Sequence, residues 1–134
     1  MSIHHHTYGP LERLKSRKRI DRLFREGKRL SQPPLLVIYR VYPGPQPATL
    51  QAGVTVRKKQ FKRAVDRNRV KRLLREAYRL QNGALKAAVA NADMSLDLFV
   101  LYTGQAMPSY ADLYGCMTEA LRKLTTTYAA ARPA

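Results

Sequence analysis

The sequence predicts an α+β fold, a single-domain α-β sandwich with its elements in the order α-β-β-β-α-β-α. Three observations lead there. Apolar residues recur at helical spacing in three separate stretches, short β-branched and aromatic runs lie between those stretches, and 134 residues that are 45% hydrophobic suffice for one modest core. The expected organisation is a disordered tail over residues 1–10, one domain over 11–128 and a frayed end over 129–134.

The first helix is predicted over residues 16–26. Ser16 is its cap, Ile20, Leu23 and Phe24 form its apolar stripe, and Gly27 suits the left-handed position that ends a helix. Arg17, Lys18, Arg19, Arg22 and Arg25 make the remaining sides cationic. Residues 28–31 can add a short strand. After Pro33-Pro34, residues 35–41 (LLVIYRV) read as a strand, broken by Pro43-Gly44-Pro45 and Pro47. Residues 50–56 (LQAGVTV) read as its antiparallel return, with Gly53 marking a bulge or a close backbone approach.

A second helix is predicted over 62–80. At 100° per residue Val70, Leu73, Leu74 and Ala77 share one arc, while Asn68, Lys71, Arg72, Arg75 and Arg79 lie opposite. One face builds core and the other presents a cationic ladder. After Asn82-Gly83, residues 84–90 form a short helix or an ordered loop. Residues 96–102 (LDLFVLY) are almost continuously apolar, which suggests a central strand. Pro108-Ser109 followed by Asp112 is a capping-box variant, and Leu113, Met117, Ala120, Leu121 and Leu124 supply the stripe of a last helix.

The charge is far from balanced. The chain carries 25 Lys and Arg against 9 Asp and Glu, a formal +16 that exceeds any need of solubility and calls for an anionic partner. The whole excess lies in residues 11–80, since Lys86, Arg122, Lys123 and Arg132 are matched by Asp93, Asp97, Asp112 and Glu119. The series Arg57-Lys58-Lys59, Lys62-Arg63 and then 67–79 suits a polyphosphate, because a helix with a cation every three or four residues can follow the regular charges of a backbone. Arginine predominates, and guanidinium can also stack on exposed bases, which favours RNA. Asn68 has two readings, a polar contact to RNA or a helix cap, and Asp66 is a rival cap. Phe24, Tyr39 and Phe61 are candidates to line a cleft against which bases stack; Phe24 and Tyr39 also suit a core.

No constellation for protein-side catalysis emerges. The histidines are His4, His5 and His6 in the tail, Cys116 stands alone, and Asp93 with Asp97 is too sparse for a metal centre that cuts phosphodiesters. One cysteine excludes an internal disulfide and fits a reducing cytoplasm, and residues 1–8 lack a signal-peptide core.

The segment VTVRKKQFKRAVDRNRVKRLLREAYR, residues 54–79, resembles the signature of the protein subunit of bacterial ribonuclease P, where a strand ending in a Lys-Lys pair leads into a helix opening Arg-Asn-Arg. LKSRKRIDRLFREGKRL, residues 14–30, is similar to that family's first helix, and with LVIY and LFVLY the likeness spans most of 11–126. The resemblance implies a ribosomal-protein-like fold with a left-handed strand-helix-strand crossover around the motif helix, against the usual right-handed rule. It implies a ribonucleoprotein endoribonuclease that removes the 5′ leader from precursor transfer RNA. The RNA subunit is then the catalyst, with Mg2+ bound mainly by that RNA, and no obligate protein partner is expected. By position, Arg67, Asn68, Arg69, Lys71, Arg72 and Arg75 match the motif facing the catalytic RNA, and Arg79 continues that face. Phe24, Tyr39, Thr55, Lys58 and Lys59 match positions lining the leader cleft. Ile20 stands where an aromatic residue is common and Arg57 where a small polar one is.

Three other functions share parts of this pattern. A ribosomal-protein-like module would bind ribosomal RNA without any role in cleavage. A DNA reader would need base-edge residues on the exposed helix face, where only Asn68 qualifies. A membrane-surface helix would need a wider apolar face and gains nothing from a chain without tryptophan.

Overall fold

The structure, a computed structural model, describes residues 8–9, 12–44 and 47–131. Its elements are α1 (Arg17–Glu26), β1 (Lys28–Gln32), β2 (Leu35–Pro43), β3 (Leu50–Val56), α2 (Ala64–Arg79), α3 (Gly83–Ala90), β4 (Met94–Tyr102) and α4 (Tyr110–Ala131). The predicted order holds with one addition, the short helix α3 between α2 and β4. The His4-His5-His6 run lies outside the described residues.

The four strands form one sheet in the order β1-β2-β4-β3. β1 and β2 are an antiparallel hairpin closed by Pro33-Pro34, and β2 continues antiparallel onto β4 from Leu35↔Tyr102 to Pro43↔Met94. The expected β2–β3 hairpin does not form. β3 instead lies parallel to β4, from Leu50↔Leu96 to Val56↔Tyr102, and the chain crosses between them through α2 and α3. The apolar run of β4 explains the exchange, because the strand that must hide both faces takes the centre and separates its neighbours.

Alternation sends the strands' side chains to two cores. On one face Leu35, Val37, Tyr39, Ala52, Val56, Leu96, Leu98, Val100 and Tyr102 pack beneath α2, α3 and α4, which contribute Val70, Leu74, Tyr78, Leu85, Leu113, Met117, Leu124 and Tyr128. On the other face α1 and Leu14 just before it cover a smaller cluster with Leu23, Ile38, Phe99 and Leu101, flanked by Ile20, Phe24 and Leu36. α1, lying on this thinly covered face, is one wall of a surface where the sheet itself is the floor.

The ends of the elements obey local chemistry, with some corrections. Ser16 Oγ accepts from Arg19 N (3.4 Å) and Ser109 Oγ from Asp112 N (3.1 Å), so both expected caps form. Gly27 is not left-handed; at φ −71° and ψ 154° it is extended, and glycine is needed because a Cβ would strike the Leu23 carbonyl and lie 2.9 Å from Ile38 Cγ2. Neither Asn68 nor Asp66 caps α2, which begins two residues later than predicted with Arg63 at its cap and no side-chain bond there. Tyr8, assigned to the tail, is buried instead, edge-on to Tyr78 at 5.2 Å with its hydroxyl donating to the Ala52 carbonyl. Arg13 bridges Ala52, so this N-terminal segment shields the outer edge of β3. At the other end α4 stays helical through Ala131, past the fray expected from residue 129.

Candidate nucleic-acid interface

The turn from β3 into α2 carries the first cations, Arg57, Lys58 and Lys59, all exposed. It is pinned on the inside. Phe61 is buried against Tyr102 with ring centroids 6.0 Å apart, and Gln60 Nε2 donates to the Thr103 carbonyl at 2.8 Å. Phe61 is therefore an anchor of the core and no base-stacking surface. Arg67 adds a second fastening: its Nη1 donates to the carbonyls of Phe61 (2.7 Å) and Lys62 (2.8 Å), tying the turn to the first turn of the helix.

Beyond that turn, α2 divides its cations into two groups. Arg63 faces Asp66 at 3.9 Å and Arg79 holds Glu76 at 2.5 Å. The hydrogen bond from Arg79 pushes the Glu76 carboxyl below the ordinary glutamate range. Arg69, Lys71, Arg72 and Arg75 have no carboxylate in ion-pair reach among the described residues, and Asn68 lies among them, exposed. Val70, Leu74, Ala77 and Tyr78, on the inner side, are buried. The predicted division of the helix into core face and cationic face is what the structure shows. The result is a ladder of positive charge with its counterions displaced to the two ends, available to phosphate oxygens.

The second predicted group is only partly brought together. Phe24 packs on Phe99 with centroids 5.4 Å apart, and Thr55 lies on the same sheet face two residues beyond Gly53. Lys58 and Lys59 follow just past the end of β3. Gly53 explains how close this floor lies: there is no bulge, and a Cβ there would sit 2.5 Å from Phe99 Cζ, so only glycine admits the ring. Tyr39 does not join them. It points to the opposite face, 7% exposed in the core beneath the helices. Phe99 stands beside Phe24 instead, but it is itself buried in the smaller core, and of the two rings Phe24 is the more open to solvent.

One constellation on the α1 face escaped the sequence reading. Asp97, buried at 2% exposure in the middle of β4, accepts from Arg19 Nε (3.2 Å at Oδ2), more closely from Arg19 Nη2 at Oδ1, and from the Tyr42 hydroxyl (3.2 Å). A lone acid between Leu96 and Leu98 in an apolar strand was the available signal, since a buried charge must be paired. Among the described residues no three His, Cys, Asp or Glu side chains are grouped to hold a metal ion, and no helix is long and apolar enough to cross a membrane.

A four-stranded mixed sheet with α1 on one face and three helices on the other, and a crossover helix whose outer face carries a row of cations, defines a small basic α+β protein. The family model of ribonuclease P matches residues 10–125, and the chain belongs to the bacterial ribonuclease P protein family. It is 35% identical over 113 residues to the ribonuclease P protein component of Porphyromonas gingivalis, covering 84% of this chain and 82% of that one. Against the component from Chlorobaculum tepidum it is 44% identical over 94 residues, 65% of this chain and 61% of the other. The fold matches the RNase P protein of Thermotoga maritima with a TM-score of 0.60 at 24% identity, covering 87% and 96% of the two chains. The Staphylococcus aureus RNase P protein matches with a TM-score of 0.61 at 18% identity, covering 84% and 94%.

Proposed function

We propose that within ribonuclease P this chain binds the catalytic RNA through the outer face of α2 and receives the 5′ leader of precursor transfer RNA on the sheet face beside α1. Hydrolysis belongs to the RNA subunit with its Mg2+, in the cytoplasm, and the protein anchors and positions. The observation that carries this reading is the set Asn68, Arg69, Lys71, Arg72 and Arg75, a continuous helix face whose cations lack carboxylate partners among the described residues while Arg63 and Arg79 at its ends have them. A solvated structural helix gains a few tenths of a kcal/mol from each pair of opposite charges, so a face kept free of such pairs favours an external anion. Half-buried Phe24, seated on the buried Phe99, and Thr55, with Lys58 and Lys59 beyond them, offer a separate aromatic and cationic surface suited to a single strand.

Reconstitution with the cognate RNA subunit tests both halves. At low Mg2+ the protein should raise cleavage of precursor transfer RNA, more for a substrate with a long leader than for one with a truncated leader. Cleavage that is indifferent to the protein, or equal competition by mature and precursor transfer RNA, overturns the proposal and leaves a structural RNA-binding module.

A further inference from the structure

The sheet face beside α1 has a wall held by an apolar stripe and by a side chain that bonds across to the sheet. α1 is only ten residues long, too short to be stable by itself, so its placement depends on what it touches. Leu23 with Ile20 and Phe24 supplies an apolar stripe, and such contacts are non-directional and tolerate sliding. The directional contact is Arg19. Its guanidinium forks onto both oxygens of Asp97, and its Nη2 also donates to the Tyr42 hydroxyl at 2.7 Å. Tyr42 donates onward to Asp97 and is covered by the Arg40 guanidinium, 4.5 Å above its ring.

The choice of partner is informative. Arg40 is the residue directly across from Asp97 on β2, on the same face of the sheet. An acid needing only neutralisation could pair there. It pairs instead with an arginine 78 residues away on the helix, while Arg40 lies over Tyr42. The arrangement fixes a helix to a sheet at one point with planar, two-pronged geometry, in which a small displacement breaks two bonds at once.

We propose that Arg19, Asp97 and Tyr42 form a latch that sets the position of α1 over the sheet and thereby holds Phe24 against Phe99 for the leader strand. Arg19 is then a positioning residue for the reaction and Asp97 its fixed point. The inference rests on the leader reading given above. Phe24 lies five residues beyond Arg19 on the same short helix, about 7.5 Å along its axis, so rotation or sliding at the latch carries directly to the ring.

The test uses the full chain reconstituted with its RNA subunit and two variants, Arg19→Gln combined with Asp97→Asn, and Arg19→Lys. The double variant removes both charges, so no unpaired charge is left buried; Arg19→Lys keeps the charge and loses the fork. Hydrogen exchange on the free proteins should show reduced protection of α1 amides in both, with those of β4 and α2 retained. In the reconstituted enzyme the double variant should lose preference for the long leader by about tenfold, the worth of roughly one stacked base. The loss should appear in KM, with kcat and affinity for the RNA subunit unchanged, and Phe24→Ala should add little to it. Arg19→Lys should fall between the double variant and the native protein. Should the double variant fail to fold, Arg19→Lys decides alone. A folded variant with native α1 protection, or with native leader preference, overturns the latch. A native protein without leader preference overturns the function proposed above, and the latch's role with it, even where exchange shows α1 loosened.

Discussion

Arg67 and Arg69 flank Asn68 in the motif, yet their guanidinium groups are in different situations. Arg67 Nη1 is bound to the carbonyls of Phe61 and Lys62, whereas Arg69, Arg72 and Arg75 are exposed and without carboxylate partners among the described residues. Removing Arg72 or Arg75 should therefore leave the fold intact and change only the interface. For each change to alanine, the slope of log affinity for RNA against log salt should fall by about 0.7 to 0.9, one phosphate contact. Binding measured across a salt series checks this, and an unchanged slope would take that arginine out of the interface. Arg67→Ala should behave the other way round. It strips a charged donor from two carbonyls at the start of α2, which is worth about 1 to 2 kcal/mol of stability. A denaturant midpoint that does not move would show that the turn holds without it.

At the scale of elements, β3 and β4 meet at one demanding point, where Gly53 admits the Phe99 ring. Gly53→Ala should cost about 1 to 3 kcal/mol, because a methyl group would enter space the ring already fills. Thermal melts of Gly53→Ala with and without Phe99→Leu test the cause: the smaller side chain should recover most of the loss, and purely additive losses would reject the clash. The sequence already marked this glycine as a bulge or a close approach, and the caps at Ser16 and Ser109 were legible too, since each depends on residues a few positions apart. The face of Tyr39 was not. Both sides of β2 are covered, so Val37, Ile38 and Tyr39 are all buried and the alternation that assigns side chains to a face disappears from the sequence. The partner of β3 was hidden for a related reason: neighbouring strands suggest a hairpin, and only the competition for the sheet centre, decided by residues 96–102, excludes it. Arg19 and Asp97, 78 residues apart, share no local pattern at all.

Over the whole molecule the formal charge of +16 is arranged around a sheet that separates α1 from α2. Among the described residues the carboxylates of Glu12, Glu26, Asp66, Glu76, Asp97 and Glu119 are engaged in ion pairs. Their neutralising capacity is already used, and most arginines and lysines repel one another across a molecule of 134 residues. The free protein should therefore be stabilised by salt, with sulfate acting more strongly than chloride because it is both excluded from apolar surface and a better partner for guanidinium. The same salt should weaken RNA binding, since counterion release is lost. These opposite responses have one origin, the excess of cations over carboxylates on α1, the β3–α2 turn and α2. Thermal melts of the free chain over a salt series, set beside RNA binding over the same series, test it: both the midpoint and the dissociation constant should rise together. A melting midpoint that falls with added salt would mean that the ion pairs outweigh the repulsion, and that the cationic face is held in place without strain while it waits for RNA.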